Sequence, residues 1–285
     1  PLGGTAPSAF PRAAHTVVQV TQRRLPSAVC AQIFLLIGSP FRWSLPSSST
    51  SPGSRSRCPR TSRELNIFPI ALRTVEVRAV EDITPHMRRI TVGGPDMAAG
   101  VHDGYEIPPA FRSEGFDDHV KLVIPQADGD FGTVGGVQDG DRFDWERGVL
   151  VRTRDYTVRR VREDEFDIDF VVHDGGVAAE WAKAAQVGDP LKFAGPKVSA
   201  SVNPDVDWHL LIADETALPA VGRWLEEAPG GVRAFVVVEV PPSADDVQQI
   251  DTSADAEITW LIRPEGVAPG YSTSCSRPSV RSICR

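Results

Sequence analysis

Five arginines, a tyrosine and a threonine gathered in one strand-like stretch are the first residues whose types and spacing could do chemistry. Arg152-Thr153-Arg154-Asp155-Tyr156-Thr157-Val158-Arg159-Arg160-Val161-Arg162 places those five arginines within 11 positions. Guanidinium forks donate paired hydrogen bonds that match phosphate oxygens, a tyrosine ring can lie against a planar heterocycle, and a threonine hydroxyl can hydrogen-bond that heterocycle's edge. Strand alternation puts 152, 154, 156, 160 and 162 on one face and 157 and 159 on the other. The same spacing fits equally an exposed strand whose arginines pair with Glu163, Asp164 and Glu165.

A second stretch, Val171-Val172-His173-Asp174-Gly175-Gly176-Val177-Ala178, runs from a strand through glycines into a helix. Backbone N–H groups at such a helix start suit a pyrophosphate, although a tight strand-to-helix turn accounts for the glycines as well. Asp174, an anion, reads as a cap. A third stretch, Asp214-Glu215-Thr216-Ala217-Leu218-Pro219, follows an apolar strand, at the carboxyl end where open sheets bind ligands. It lacks G-x-G-x-x-G, and an N-cap followed by acids in the first helical turn explains it adequately. The six histidines (15, 86, 102, 119, 173 and 209) are scattered and no C-x-x-C occurs, so no protein-held metal site is expected.

The elements that must position these residues fall into two regimes. From Leu72, β-branched residues alternate with charges, and strands are expected over 72–80, 87–92, 119–125, 149–161 and 166–173, joined by Gly, Asp and Pro. Five or six such strands describe a small antiparallel barrel. Alanines around Trp181 give a helix that stops at Gly188-Asp189-Pro190. From Trp208 the pattern becomes strand 208–213, helix 216–227, strand 232–240 and strand 258–262, the form of a parallel sheet with right-handed crossovers. With three strands visible, this second unit reads as truncated.

Composition bounds the function classes. Among 285 residues, 41% are apolar and 24% charged, with a net charge of −8, which argues against a basic nucleic-acid-binding surface. No run approaches the roughly 20 apolar residues that span a bilayer. All 38 acidic residues lie between Glu64 and Glu265, whereas residues 1–63 hold eight arginines and no acid. Cys30, Cys58, Cys275 and Cys284 also lie only in the flanks. The expected division is therefore a disordered or foreign extension over 1–66, a β-barrel domain over 67–203, an incomplete α/β domain over 204–269 and an unstructured tail over 270–285. Arg23-Arg24 followed by an apolar stretch resembles an export signal. Gln32 interrupts that run and no small-residue cleavage site follows it, so a cytoplasmic location is expected.

Taken in order, Arg154-x-Tyr156-Thr157-x-Arg159, Asp169-Phe-Val-Val-His173, Gly176-x-Ala178-x-x-Trp181-Ala182, Gly188-Asp189, Gly195-Pro196, Asp214 to Ala220, and Thr259-Trp260-Leu261 with Arg263 resemble the siderophore-interacting proteins. These are flavin-dependent ferric-siderophore reductases on the ferredoxin-reductase architecture, and the resemblance covers about residues 70–266. It implies an FAD-binding six-stranded barrel followed by an NAD(P)-binding parallel-sheet domain. Arg154 would bind FAD phosphate, with Arg159 and Trp181 beside the same cofactor. Tyr156 would lie against the isoalloxazine and Thr157 near its reactive edge, as the catalytic pair. His173, Gly175, Gly176, Val177, Ala178 and Ala179 would form the pyrophosphate turn, and Asp214, Glu215 and Thr216 would open the NAD(P)H domain. The implied substrate is a ferric siderophore, the implied electron donor NAD(P)H or a ferredoxin, and the implied state a monomer. Arg112, Lys121, Arg159 and Arg160 are candidates for drawing in an anionic chelate. Two departures from the family pattern stand out: Val177 replaces its usual proline, and its C-terminal Tyr-Trp segment has no counterpart in residues 270–285.

Overall fold

The computed structural model describes strands at 19–24 and 30–36, then residues 64–102, 105–107, 110–126, 128–132, 136–139, 142–145, 153–202 and 206–267. Strands β1 (Gln19–Arg24), β2 (Cys30–Leu36) and β3 (Leu65–Ile67) come first. The next region runs β4 (Leu72–Thr84), β5 (Met87–Gly93), β6 (Gly100–His102), β7 (Tyr105–Ile107), β8 (His119–Val123), β9 (Gly136–Asp139), β10 (Arg142–Trp145), β11 (Thr153–Thr157), β12 (Arg160–Val161) and β13 (Glu165–Val171). Helix α1 (Val177–Ala184), β14 (Pro190–Ala194) and β15 (Val198–Ala200) follow. The last third is β16 (Trp208–Ala213), α2 (Leu218–Glu227), β17 (Arg233–Val240) and β18 (Asp255–Ile262).

A seven-stranded antiparallel sheet has the order β11-β8-β14-β4-β5-β13-β12. Its edge strands β11 and β12 are separated in the chain only by Val158 and Arg159, so the sheet curls until its edges meet, which is how a barrel avoids open edges. The sequence led to five or six strands, with five ranges read; the other two are β14, whose short run after Asp189-Pro190 gave no signal, and the two-residue β12, produced by a break at Val158-Arg159 in what reads as one strand over 149–161. Residues 149–152 lie outside the described residues.

Period-two alternation dictates the core. In β13, Phe166, Ile168 and Phe170 point inward with no exposed surface and meet Ile90, Leu122, Leu191 and Phe193. Phe111 stacks on Phe166 at 4.9 Å and meets Phe193 edge-on. The intervening Asp167 and Asp169 are also buried, which requires partners. Asp169 accepts two hydrogen bonds from Arg89 at 2.7 and 2.8 Å, and Asp167 accepts from the Thr91 hydroxyl and Arg162. Helix α1 seats itself through Ala178, Ala179 and Ala182, small enough to let its backbone approach the sheet.

The parallel sheet is larger than the sequence suggests, with order β1-β2-β16-β17-β18. β16, β17 and β18 are mutually parallel, β2 adds parallel to β16, and β1 returns antiparallel to β2. Two strands therefore come from the 1–66 segment expected to be disordered. Their physical reason is local: Cys30–Leu36 is a short apolar run of the buried-strand kind, whereas the Ser/Pro/Arg content around it masks the signal. Helix α2 packs on this sheet with Leu218, Ala220, Val221, Trp224 and Leu225 buried, and its Pro219 sits in the first turn, where no N–H is needed.

Candidate functional site

Strand β11 presents the arginine-tyrosine motif beside β8, pairing Arg154 with Leu122, Tyr156 with Val120 and Thr157 with His119. Tyr156 is half-buried, its ring 4.4 Å from that of Phe170, which in turn lies 5.6 Å from Trp181 of α1. The fold thus joins Tyr156 and Trp181, 25 positions apart in the motif order, through one core phenylalanine. Burial pushes the Tyr156 phenol well above its ordinary range, the Arg154 charge offsetting only part of this, so the ring is a neutral platform. Thr157 is buried at the end of the strand.

The arginines divide. Arg162 pairs with Glu165 and Asp167, and Arg160 with Glu226, so the surface-pairing alternative describes part of the cluster. Arg159 is buried and donates from Nη1 to Glu226 Oε2 at 2.8 Å, with Nε 3.6 Å from Asp169 Oδ2. It therefore lies where β12 meets α2. Arg154 is half-buried and donates to the Thr153 carbonyl at 2.8 Å. Of the cluster's described arginines it alone has no described carboxylate within ion-pair distance. The other basic candidates are matched: Lys121 with Asp155 at 2.6 Å and Arg112 with Glu114.

The glycine turn is open on one side and tight on the other. Gly175 has φ +83°, a conformation that favours glycine, and no atom lies within 4 Å of where its Cβ would be. At Gly176 a Cβ would come within 2.6 Å of the His173 ring. Gly176 is the N-cap of α1, and no side chain caps the first turn. His173 is exposed with Nδ1 3.1 Å from the Asp174 carbonyl oxygen. Val177 is half-buried, Ala178 and Ala179 are buried, and Trp181 is half-buried. Asp174 is drawn off by Lys183 at 2.9 Å, whose hydrogen bond and charge hold its carboxyl below the usual range.

At the carboxyl ends of β16, β17 and β18 the Asp214-Glu215-Thr216 side chains are engaged internally. Asp214 Oδ1 accepts from the Thr216 N–H at 3.0 Å and its hydroxyl at 2.6 Å. Glu215 forms a bidentate pair with Arg263 at 2.7 and 2.8 Å, and Arg263 also reaches Glu239 at 3.2 Å, all three being buried. Sequence reasoning had no signal for this triad, because its members lie on three separate strand ends. A cavity of about 530 Å³ opens instead at the amino ends of this sheet, beside His209, Trp224 and Arg233. Burial lowers the His209 pKa to about 4.

Between barrel and α/β unit lie contacts that the motifs did not reveal. Arg223 of α2 donates to the Ser113 hydroxyl at 2.7 Å and to the Val158 carbonyl at 3.0 Å. The hairpin tip inserts His86, whose Nδ1 is 2.8 Å from Asp246 Oδ2. Gly222 is explained by proximity, since a Cβ there would come within 2.8 Å of Arg159 Nη2. Burial by itself would raise the Glu226 pKa, but hydrogen bonds and charge from Arg159 and Arg160 outweigh it and hold the carboxyl down to about 2. A carboxyl depressed in the folded state contributes stability above its ordinary value of 4.5 and loses it as pH falls towards about 2. Urea unfolding midpoints are therefore expected to fall across that window, with a shallower fall in Glu226→Gln. Parallel curves for the two proteins would refute the assignment.

Comparison with known proteins places this geometry. Residues 76–200 match the siderophore-interacting FAD-binding domain family, and residues 206–275 match the siderophore-interacting protein family. The chain is 39% identical over 202 residues to the NADPH-dependent ferric-chelate reductase of Escherichia coli, covering 69% of this chain and 73% of that one. It is 31% identical over 185 residues to the ferric vibriobactin reductase ViuB of Vibrio cholerae, covering 64% and 63%. The crystal structure of a siderophore utilization protein from T. fusca superposes with a TM-score of 0.66 at 38% identity, covering 79% of each chain. With a barrel carrying the Arg-x-Tyr-Thr strand, a glycine turn leading into α1, and a parallel sheet behind them, the chain belongs to the siderophore-interacting protein family, on a ferredoxin-reductase-like fold.

Proposed function

We propose that this protein reduces Fe(III) held in a ferric siderophore, using bound FAD and electrons from NAD(P)H. The observation that carries the reading is Arg154, a half-buried guanidinium without a described carboxylate partner, two positions before a neutral tyrosine platform. The Gly175-Gly176 turn and the uncapped start of α1 supply a second feature that fits a diphosphate. FAD, when bound, accepts an electron pair and passes electrons singly to a metal, chemistry that no side chain here provides. The residues' share is placement. Arg154 holds phosphate charge, Tyr156 flanks the ring system, Thr157 offers a hydroxyl at its edge, and His173 with residues 175–179 shapes the diphosphate turn. Asp214 and Thr216 shape the loop where a reduced nicotinamide would approach. Iron is substrate: as Fe(II) it binds hard oxygen ligands weakly and leaves.

A flavin-binding module without turnover is a second reading, favoured by one observation: the Glu215 side chain is already committed to Arg263. Sustained NADPH oxidation in the presence of a ferric chelate separates the two, since a pure binder gives none. The first measurement is the visible absorption spectrum with and without added FAD. Arg154→Ala is expected to weaken FAD binding by about tenfold or more while leaving the free energy of unfolding within about 0.5 kcal/mol of the parent. Unchanged FAD affinity would remove Arg154 from the site.

A further inference from the structure

We propose that helix α2 of the parallel-sheet unit, acting through Arg223, fixes the end of β11 that faces the flavin. The inference rests on the FAD reading above and goes beyond it by assigning a positioning residue on the other domain. β11 ends at Thr157, and Val158 is the first residue past the strand. Its N–H donates to the Asp118 carbonyl at 2.9 Å, and its carbonyl accepts from Arg223 Nη1 at 3.0 Å. Arg223 is only 4% exposed. Besides Val158 it donates to the Ser113 hydroxyl at 2.7 Å, the Ser113 carbonyl at 3.0 Å and Glu227 at 2.7 Å. The Ser113 hydroxyl in turn donates to Asp118 Oδ2 at 2.9 Å. The two peptide units that flank Val158 are thereby drawn into one network whose cation comes from α2. One turn further along the same helix, Glu226 takes Arg159, the residue after Val158.

Val158 and Arg159 are thus held twice, by backbone bonds to the barrel at Asp118 and Asp167 and by side chains of α2. A buried cation with this many directed donors fixes geometry as well as position, because the guanidinium plane sets all of the acceptor directions together. Releasing it frees the Val158 carbonyl and loosens the Ser113–Asp118 contact beside the Val158 N–H, so the chain just past Thr157 can shift and move the Thr157 hydroxyl relative to the flavin edge. Polar groups at that edge are among the protein's means of tuning the cofactor.

The test uses the full chain with Arg223→Met, Arg223→Lys and Ser113→Ala, and FAD itself as the probe. Arg233→Met, at the amino end of β17, is the control. FAD titration, the visible envelope of bound flavin and its midpoint potential are the readouts. Arg223→Met is expected to bind FAD about tenfold more weakly or worse, with an altered envelope and a displaced potential. Arg223→Lys should fall between it and the parent, and Ser113→Ala should move in the same direction by less. If the variants melt at lower temperature but keep the parental envelope and potential, Arg223 is structural only and the proposal fails. Should Arg223→Met not fold, Arg223→Lys and Ser113→Ala carry the same comparison. Failure of the parent protein itself to take up FAD would defeat the flavin reading first, and is seen before any substitution is compared.

Discussion

Replacing Phe170 with alanine is expected to cost about 3–5 kcal/mol of folding stability, the range for deleting a fully buried aromatic ring. Phe170 has no exposed surface, and its ring touches Tyr156 on β11 and Trp181 on α1. Both neighbours would lose their contact on the same side, so the site should loosen along with the core. Urea unfolding gives the stability term. Quenching of Trp181 emission by an added neutral quencher gives the local one, and it should rise in the variant under native conditions. A loss below about 1 kcal/mol would mean that the surrounding rings collapse into the space, contrary to the packing seen. Phe170→Leu, which keeps much of the volume, should recover a large part of the loss.

The second large effect is expected at Arg263. Arg263→Leu removes the cation from between Glu215 and Glu239 and leaves two buried carboxylates facing each other, a change that typically costs about 3–5 kcal/mol. Replacing all three residues with apolar ones of similar size should restore most of the stability, since the pairing offsets a desolvation penalty that an apolar cluster never incurs. Equal destabilisation in the single and triple variants would show that the triad's geometry, and not its charge balance, holds the strand ends together. Because β16, β17 and β18 each supply one member, the single variant should also raise amide exchange at all three carboxyl ends.

Much of the barrel was legible because its strands alternate: β4, β5, β8 and β13 appear close to where periodicity puts them. The same holds for β16, α2, β17 and β18, whose apolar runs and helical spacing are strong. Strands β1 and β2 were not legible, since β2 joins the parallel sheet at β16, nearly 180 positions away, β1 pairs only with β2, and their surroundings carry the composition of disorder. Within the site, Tyr156, Thr157 and the glycine turn stand out because their chemistry is local. Arg159 shows the limit of such reading. In sequence it belongs to the arginine-tyrosine motif, whereas in space it is gripped by Glu226, and the glycine that makes room for it is Gly222 on another element. The engagement of Glu215 by Arg263 was hidden for the same reason, as an ion pair between positions 48 apart leaves no pattern that a spacing rule can find.

The double burial of β13 has a consequence for how the chain finds its fold. One face is Phe166, Ile168 and Phe170; the other is Asp167 and Asp169, each satisfied by a hydrogen bond or ion pair from a specific partner. Slipping β13 by one residue against β5 would exchange the two faces, driving two carboxylates into the aromatic core and aiming three apolar side chains at Arg89 and Thr91. Misregistered pairings are therefore penalised on both sides of the strand at once, so β13 discriminates the correct barrel from its near neighbours during folding. A misfolded chain has the least to gain from pairing this segment wrongly.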